Sequence, residues 1–302
     1  MSDPIENISF KSGFVTLIGR PNSGKSTLVN TIIGQKLTIT ANVPQTTRHR
    51  FRAILDTDDH QLVLVDTPGI HKPHDALGEE LNTSAIKALE SVDAVAFLLD
   101  ASKTFGSGDA MVLSYLEKTH CPKLLVLSKI DLVNQSTIEQ QLNKATAAFS
   151  FDAVFCLSAV TGEGVEQFVD ALVLLLPEGP RWFPKGTTTD QDIEVLVAEF
   201  VREKVLHQTS DEVPHAVGVQ VEEMSYDAKR DLYRIEAIIY VERESQKGIL
   251  IGKGGERIKA IGSDARIDLE RLLNSKVYLE LRVKTRNKWR RDANQIRRFG
   301  YG

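Results

Sequence analysis

The stretch "FVTLIGRPNSGKST" at residues 14 to 27 limits the possible folds of this chain more than any other. It fits the pattern G-x-x-x-x-G-K-[ST] with Gly19, Gly24, Lys25 and Ser26 at the fixed positions, directly after an apolar run. In such a loop the backbone amides surround phosphate groups, the lysine contacts the β- and γ-phosphates, and the hydroxyl binds Mg²⁺. This chemistry needs a buried strand before the loop and a helix after it, so the stretch predicts an α/β nucleotide-binding domain.

The first 180 residues alternate short apolar runs with amphipathic segments. The apolar runs occupy residues 14–19, 61–66, 94–100, 123–128 and 153–158, and helical patterns lie near 25–33, 80–90, 109–117, 137–149 and 164–176. Strands this apolar are buried on both faces, which favours a mostly parallel sheet with helices on both sides. The run "FRAILDTDDHQLVLVD" instead predicts an antiparallel hairpin at one edge of the sheet.

Length and composition indicate two domains. The chain has 302 residues, whereas one domain usually takes roughly 100 to 200. The stretch "LLLPEGPRWFPKGTTTDQD" interrupts the apolar periodicity with prolines, glycines and threonines, which is typical of a linker. We therefore expect a first domain at residues 1–180, a linker at 181–192 and a smaller α+β domain at 193–302.

The cysteines and the N-terminal residues favour a cytoplasmic protein. Cys121 and Cys156 are the two cysteines, and their spacing indicates neither a disulfide framework nor a zinc site. The first ten residues, "MSDPIENISF", lack the basic start and apolar core of a signal peptide. The longest apolar run, "ALVLLL", is far too short to cross a membrane.

Three further motifs follow buried strands of the first domain. In "LVLVDTPG", Asp66 can hold Mg²⁺ through water and the Gly69 amide can meet a γ-phosphate oxygen. In "LSKIDL", the carboxylate of Asp131 can accept from both the ring N–H and the amine of guanine, a pair of donors that adenine does not offer. After the last strand, Ser158 and Ala159 can place a backbone amide against the guanine carbonyl.

These motifs, in this order, resemble the G-boxes of the translation-factor-related GTPases over residues 10–180. The resemblance implies GTP or GDP with Mg²⁺ as ligands, with Ser26, Thr47 and Asp66 as the metal residues. It implies catalytic roles for Lys25, Thr47, Asp66 and Gly69. The residues it assigns to the nucleotide are Gly19, Arg20, Pro21, Asn22, Ser23, Gly24, Lys25, Ser26, Thr27, Asp66, Thr67, Pro68, Gly69, Ser128, Lys129, Asp131, Ser158 and Ala159.

The chain departs from the common pattern at two positions. Ser128 stands where the family usually has an asparagine that ties the guanine box to the phosphate loop and the base, which predicts a lower nucleotide affinity. Ile70 stands where Ras-like proteins have a glutamine that orients water, which predicts slow intrinsic hydrolysis. Asn22 is open to two interpretations, a ligand of an activating K⁺ ion in related members or a turn residue.

A second glycine-rich stretch, "IGKGG" at residues 251 to 255, does not fit a nucleotide loop. Its glycine spacing is wrong, no Ser or Thr follows Lys253, and helical patterns lie on both sides. It fits a G-x-x-G clamp, in which Gly252, Lys253, Gly254 and Gly255 grip the phosphates of a single strand of RNA. The stretch resembles the KH domain of the type II found in bacterial ribosomal proteins, with Ile249, Leu250 and Ile251 as an apolar floor for unpaired bases.

The C-terminal residues carry a net positive charge, unlike the remainder of the chain. Residues 251–302 have 14 Lys and Arg against 6 Asp and Glu, a net charge of +8, whereas the remainder has 23 against 35, a net charge of −12. The aromatic residues Trp289, Phe299 and Tyr301 lie among these basic residues, which predicts stacking on unpaired bases. The basic and aromatic residues that we expect to bind RNA are Lys284, Arg286, Lys288, Trp289 and Arg290.

A G-box domain followed by this KH-like module resembles the Era family of GTPases over the whole chain. The resemblance implies hydrolysis of GTP to GDP and phosphate, with no other small-molecule substrate. It implies binding to a single-stranded segment near the 3′ end of small-subunit ribosomal RNA, and assistance in assembly of the 30S-type subunit. It also implies peripheral contact with an anionic membrane at the inner face.

Three alternatives stay open from the sequence. The chain could be an ATPase, in which case Asp131→Asn would not shift its preference towards xanthosine nucleotides. The chain could be chiefly an RNA-binding assembly protein whose nucleotide is hardly turned over. It could instead be a membrane-associated GTPase that uses its basic tail as an anchor.

Overall fold

The computed structural model describes residues 10–301, and these residues group into two compact units. The first unit comprises residues 10–35, 50–71 and 84–190, and the second comprises residues 36–49, 72–83 and 191–301. The expectation about the N-terminal sequence concerns residues 1–9 almost entirely, and these lie outside the described part of the chain. Among the described residues, no helix is both long and apolar enough to cross a membrane.

The first unit is built on a six-stranded sheet. Its strands are β1 (Lys11–Gly19), β2 (Phe51–Asp56), β3 (His60–Asp66), β4 (Ala94–Asp100), β5 (Lys123–Ser128) and β6 (Ala153–Leu157). The strand order is β2-β3-β1-β4-β5-β6, and every pair is parallel except the hairpin of β2 and β3. Every residue of β4 is buried, as expected for a central strand that is covered on both faces.

Four helices belong wholly to the first unit and one is shared. The four are α1 (Lys25–Ile33), α3 (Ser107–Leu116), α4 (Gln135–Ala148) and α5 (Val165–Leu175). The shared helix, α2 (Ala76–Lys87), contributes residues 76–83 to the second unit and the remainder to the first. The fold predicted for the first domain, a mostly parallel sheet with an antiparallel hairpin at one edge, is confirmed.

The predicted linker is not a free tether over most of its length. Asp56 accepts from the Arg181 side chain at 2.9 Å and from the Gly186 amide at 2.9 Å, and the Gln61 side chain accepts from the amide of Trp182. The Ile54 amide donates to the carbonyl of Thr188 at 2.9 Å. Residues 181–190 therefore cover the edge strand β2, which would otherwise expose unpaired backbone groups.

The second unit packs helices against a three-stranded sheet. Its helices are α6 (Ile193–Gln208), α7 (Val213–Ala216), α8 (Glu244–Ile251), α9 (Glu256–Leu273) and α10 (Ala293–Arg298), and its strands are β7 (Gly218–Asp227), β8 (Leu232–Val241) and β9 (Lys276–Thr285). The order is β7-β8-β9, with β7 antiparallel and β9 parallel to β8. The predicted α+β module is confirmed, although the sequence patterns did not reveal the short helices α7 and α10.

An aromatic cluster closes one side of the second unit. Its buried members are Leu77, Leu81, Ile238, Tyr240, Trp289, Ile296, Phe299 and Tyr301. The indole of Trp289 has no exposed surface, and its Nε1 donates to the carbonyl of Ala216 at 2.9 Å. Trp289, Phe299 and Tyr301 are therefore core residues in this structure, which contradicts the prediction that they stack on bases.

We expect Trp289→Ala to destabilise the second unit by about 3 to 5 kcal/mol, because it leaves a large cavity and an unpaired buried carbonyl. The free energy of unfolding, measured by denaturant titration, checks this. Trp182→Ala is the matched control, since Trp182 is 63% exposed and its loss should cost less than about 1 kcal/mol. Equal costs for the two substitutions would contradict the buried position of Trp289.

Candidate functional site

The phosphate loop joins β1 to α1 as the sequence predicts. β1 ends at Gly19 and α1 begins at Lys25, with Gly24 in a left-handed conformation at φ 94°. A Cβ atom on Gly69 would lie 2.4 Å from the backbone nitrogen of Pro21, so only glycine lets the "DTPG" turn approach the loop. Asn22 also has a positive φ, 62°, which supports its interpretation as a turn residue. The K⁺ interpretation stays a prediction.

The side chain of Lys25 folds back onto the phosphate loop. Its Nζ lies 3.1 Å from the carbonyl oxygen of Arg20 and 3.4 Å from that of Gly19, and its side chain is buried. Burial lowers the pKa of this ammonium to about 8, although the carboxylate of Asp66 opposes the shift. A cation held by loop carbonyls at the start of a helix is placed to exchange those partners for phosphate oxygens.

Ser26 and Asp66 meet beside the loop. The Ser26 hydroxyl donates to Asp66 Oδ2 at 2.7 Å. Within the described residues, the other oxygen, Oδ1, is buried and accepts no hydrogen bond. Burial raises the pKa of this carboxyl to about 6, with Lys25 opposing the shift. An orphaned buried carboxylate oxygen next to a hydroxyl fits a Mg²⁺ ion, because oxygen ligands of this kind satisfy both the ion and the carboxylate.

The remaining turn residues are tied to the sheet. Thr67 donates its hydroxyl to the carbonyl of Leu17 at 2.7 Å, and the Ile70 amide donates to the carbonyl of Gly19 at 3.1 Å. Ile70 is fully buried, so its side chain packs in the core of the first unit. The turn "DTPG" thus holds Asp66 and Gly69 against the phosphate loop, as their predicted roles require.

The guanine box lies at the end of β5 and contacts the phosphate loop. Ser128 Oγ lies 2.7 Å from the carbonyl oxygen of Ser23, so the serine retains a tie between box and loop. Lys129 Nζ donates to the carbonyl of Asn22 at 2.6 Å and to Asp100 Oδ2 at 2.7 Å. Asp131 follows in an exposed 3-10 turn, where its carboxylate is open to a ligand.

The last nucleotide motif is held from two sides. Ser158 is fully buried, and its Oγ accepts from the amide of Thr161 at 3.2 Å. The carbonyl of Ala159 accepts from the hydroxyl of Thr31, on α1, at 2.7 Å. The backbone at Ser158 and Ala159 is therefore fixed relative to the helix that follows the phosphate loop.

Two carboxylates of this site were missed by sequence reasoning. Asp100 pairs with Lys129, and Asp109 accepts from Arg20 Nη1 at 3.1 Å and from the Gly106 amide at 3.0 Å. Asp100 ends an apolar strand, which was an available signal because polar residues at that end of parallel strands meet at one edge. Asp109 lies inside a helical pattern, and nothing in its local sequence marks it.

Residues 36–49, which we call the docked segment, lie on α6 in the second unit. Glu203 accepts from Lys36 and, at 2.9 Å, from the Thr40 amide, and His207 Nε2 contacts the Thr40 carbonyl at 2.8 Å. The Arg202 guanidinium donates to the carbonyl of Thr46. Glu203 and His207 are four residues apart and share one face of α6, whereas Arg202, adjacent to Glu203, lies on a neighbouring face.

Arg48 anchors the other end of the docked segment. It is buried, and its guanidinium donates to the backbone carbonyls of Val217 and His215. It also lies over the ring of Tyr301, 5.4 Å from the centroid. Thr47 lies between these anchors, so its predicted role as a Mg²⁺ ligand stays a prediction.

The G-x-x-G stretch joins two helices, as predicted. α8 ends at Ile251 and α9 begins at Glu256, and Gly252, Gly254 and Gly255 all have positive φ. Lys253 is exposed at the tip of this turn. Among the three predicted floor residues, Ile249 is 45% exposed and Ile251 is partly exposed, whereas Leu250 is fully buried in the core. The prediction for Leu250 is therefore wrong, because this residue packs inward.

The predicted RNA-binding tail is only partly available. Lys284 and Lys288 are exposed, and Lys284 makes a 3.4 Å ion pair with Glu222 that solvent screens. Arg286 lies over the ring of Tyr240 at 4.4 Å. Arg290 pairs with Asp75 at 3.2 Å and with a second carboxylate, that of Glu242, at 2.8 Å. Arg286 and Arg290 are thus structural in this conformation, and their RNA contacts stay predictions.

Comparisons with known proteins agree with this geometry. Residues 14–129 match the family described as 50S ribosome-binding GTPase, and residues 212–290 match the KH domain. The chain is 45% identical over 291 residues to GTPase Era of Staphylococcus epidermidis, covering 96% of this chain and 97% of that protein.

Two solved structures are closely similar to this chain over 97% of its length. Era in complex with MgGDPNP and nucleotides 1506–1542 of 16S ribosomal RNA gives a TM-score of 0.93 at 34% identity, covering 97% of this chain and 99% of that one. A variant of Aquifex aeolicus Era bound to GDP and AlF4⁻ gives a TM-score of 0.93 at 34% identity, with 97% and 100% covered.

We expect Asp66→Asn to remove most of the stabilisation that Mg²⁺ adds to the GDP-loaded protein, because an amide replaces the orphaned carboxylate. In thermal unfolding with Mg²⁺ or with chelator, the wild type should gain about 2 to 3 kcal/mol from saturating metal. Asp58→Asn is the matched control, since Asp58 makes only an exposed ion pair with Lys185, and it should keep the full gain. An undiminished gain for Asp66→Asn would rule out this carboxylate as the metal residue.

Proposed function

This chain belongs to the Era family of GTPases, and we propose that it couples GTP binding and hydrolysis to binding of small-subunit ribosomal RNA near its 3′ end. Through this binding it assists assembly of the 30S-type subunit. The observation that carries the proposal is the presence in one chain of two sites. One is the Ser26 and Asp66 pair with its orphaned oxygen, and the other is the exposed Lys253 turn between two helices.

The nucleotide half of the proposal follows from the loop chemistry. When bound, Mg²⁺ neutralises charge on the β- and γ-phosphate oxygens. Ser26 and Asp66 are the residues that would hold it, the latter through water. Lys25 leaves the loop carbonyls for the β- and γ-phosphates and stabilises the charge that develops during transfer. The Gly69 amide is the further donor to the γ-phosphate.

Guanine recognition is assigned to the two loops at the ends of β5 and β6. Asp131 accepts from the ring N–H and the exocyclic amine, and the Ala159 amide donates to the guanine carbonyl. Lys129 and Ser128 hold the first of these loops to the phosphate loop, so base and phosphate sites are mechanically joined. This arrangement supports GTP and GDP rather than adenine nucleotides as ligands.

The RNA half of the proposal rests on the second unit. Positive φ values at Gly252, Gly254 and Gly255 let the backbone turn tightly around a phosphate, and Lys253 supplies a charge with no competing carboxylate among its described contacts. Ile249 and Ile251 offer apolar surface beside the turn. One known relative is bound to nucleotides 1506–1542 of 16S ribosomal RNA, which supports the same class of partner here.

The docked segment supplies the coupling. The resemblance assigns Thr47 to the Mg²⁺ shell of the GTP state, whereas residues 36–49 lie on α6 in this structure. Thr47 lies between Thr40 and Arg48, whose contacts hold this segment in the second unit, so we propose that recruitment of Thr47 to the metal alters those contacts. GTP thereby changes the unit that binds RNA, and RNA must in turn change the affinity for GTP.

We propose that the protein works in the cytoplasm, where the small subunit is assembled, with peripheral contact at the inner membrane face as a weaker component. The exposed Lys284 and Lys288 are available for such contact, whereas Arg286 and Arg290 are engaged internally. Because only two of these four basic residues are available, the basic surface is small. This favours RNA over an anionic bilayer as the main partner.

We expect Lys253→Asp to weaken binding of a single-stranded RNA with the 3′-end sequence of small-subunit rRNA by at least about tenfold, because it places an anion against phosphate. Fluorescence anisotropy measures this. Lys229→Asp is the matched control, an exposed lysine of the same unit in the β7–β8 turn, and should change affinity by less than about threefold. Binding to anionic liposomes should survive both substitutions, and unaltered RNA affinity of Lys253→Asp would contradict the clamp.

A second candidate, an RNA-binding protein whose nucleotide is a structural ligand, is favoured by Ile70. Its buried aliphatic side chain cannot orient water.

We expect slow single-turnover hydrolysis of GTP that RNA stimulates by about tenfold or more, because RNA binding and the GTP state are coupled. Hydrolysis that is absent both with and without RNA would favour the second candidate.

A further inference from the structure

The hydroxyl proton of Ser128 is already used in hydrogen bonds within the protein. Ser128 is the last residue of β5, and its side chain is only 3% exposed. Its Oγ lies 2.7 Å from the carbonyl oxygen of Ser23 and 3.1 Å from that of Leu99. Both neighbours are acceptors, so the one proton of the hydroxyl is shared between them. Ser128 therefore holds the guanine box to the phosphate loop and has no proton left for a ligand.

An asparagine at this position would behave differently. Its amide has two N–H protons and one acceptor oxygen, and it reaches one bond further from the backbone than a hydroxyl does. A single asparagine can thus tie the box to the loop and donate to a base at the same time. A serine can do only the first.

Guanine presents two kinds of groups to this site. The ring N1–H and the exocyclic amine are donors, whereas O6 and N7 are acceptors. Asp131 serves the donors and the Ala159 amide serves O6, so N7 needs a further donor. The ammonium of Lys129 is directed to Asn22 and Asp100, at 2.6 and 2.7 Å. Neither side chain of the "SK" pair at 128 and 129 is therefore placed to serve N7.

On the basis of the proposed guanine-nucleotide function, we propose that this chain does not read N7 of guanine, and that Ser128 is the residue that determines this. Its nucleotide specificity is confined to the edge read by Asp131 and to O6. The chain therefore accepts guanine nucleotides that lack the N7 acceptor, such as 7-deazaguanine nucleotides, as readily as ordinary ones.

The test compares the dissociation constants of GDP and 7-deaza-GDP, measured by calorimetry on the full chain with Mg²⁺. The wild type should bind the two with constants within about twofold of each other. Ser128→Asn should restore a donor to N7 and bind 7-deaza-GDP about five- to tenfold more weakly than GDP, the value of one hydrogen bond. Ser128→Ala removes the hydroxyl proton and should weaken both ligands equally, which leaves their ratio near that of the wild type.

The outcomes separate this inference from the function on which it rests. A wild type that binds GDP but loses tenfold or more with 7-deaza-GDP overturns the inference alone. A ratio for Ser128→Ala that departs from the wild-type ratio also overturns it, because the hydroxyl would then contact the base. A wild type that binds neither nucleotide removes the proposed function, and the inference with it.

Discussion

A buried carboxylate on α6 holds the docked segment in the second unit. Glu203 is 1% exposed, and it accepts from the ammonium groups of Lys36 and Lys204 and from the Thr40 amide. Burial alone would raise the pKa of this carboxyl, but these donors outweigh it and hold the pKa below its ordinary value. A buried charge is tolerated only when it is paired in this way, so the position of Lys36 and Thr40 is strongly specified. One residue earlier on the same helix, Arg202 donates to the Thr46 carbonyl.

This pairing makes the docked segment a fixed part of the second unit rather than a loose loop. Moving Lys36 and Thr40 away from α6 would leave the buried Glu203 carboxylate with fewer hydrogen-bond donors. This costs free energy and therefore opposes displacement of the segment. We therefore expect a ligand that recruits Thr47 to disturb the contacts of the whole segment. Metal and γ-phosphate can supply such a competing attraction on the nucleotide side, which is why we place the coupling between GTP and RNA in residues 36–49.

The motifs that the sequence assigns to the nucleotide lie together in the structure, because each is short, contiguous and next to the end of a strand. Gly19 to Thr27, Asp66 to Gly69 and Ser128 to Asp131 each lie at the end of an apolar strand, and parallel topology brings these ends together. The predictions failed where contacts between residues far apart in the sequence determine which side chains are buried. The sequence around Trp289, Phe299 and Tyr301 is typical of an RNA-binding tail. In the structure, however, these aromatic residues are buried against the apolar side chains of Leu77, Leu81 and Ile238. The grouping of residues 36–49 and 72–83 with the second unit depends on side chains more than 150 residues apart, which local periodicity does not reveal.

The most direct test of the coupling is the equilibrium affinity for the 3′-end RNA, measured with bound GDP and with a bound non-hydrolysable GTP analogue. We predict that the two affinities differ by about fivefold or more, and that Glu203→Gln, which weakens the hold on the docked segment, reduces this ratio. Glu223→Gln, an exposed carboxylate of β7, should leave the ratio unchanged. Identical RNA affinities in the two nucleotide states of the wild type would contradict the account.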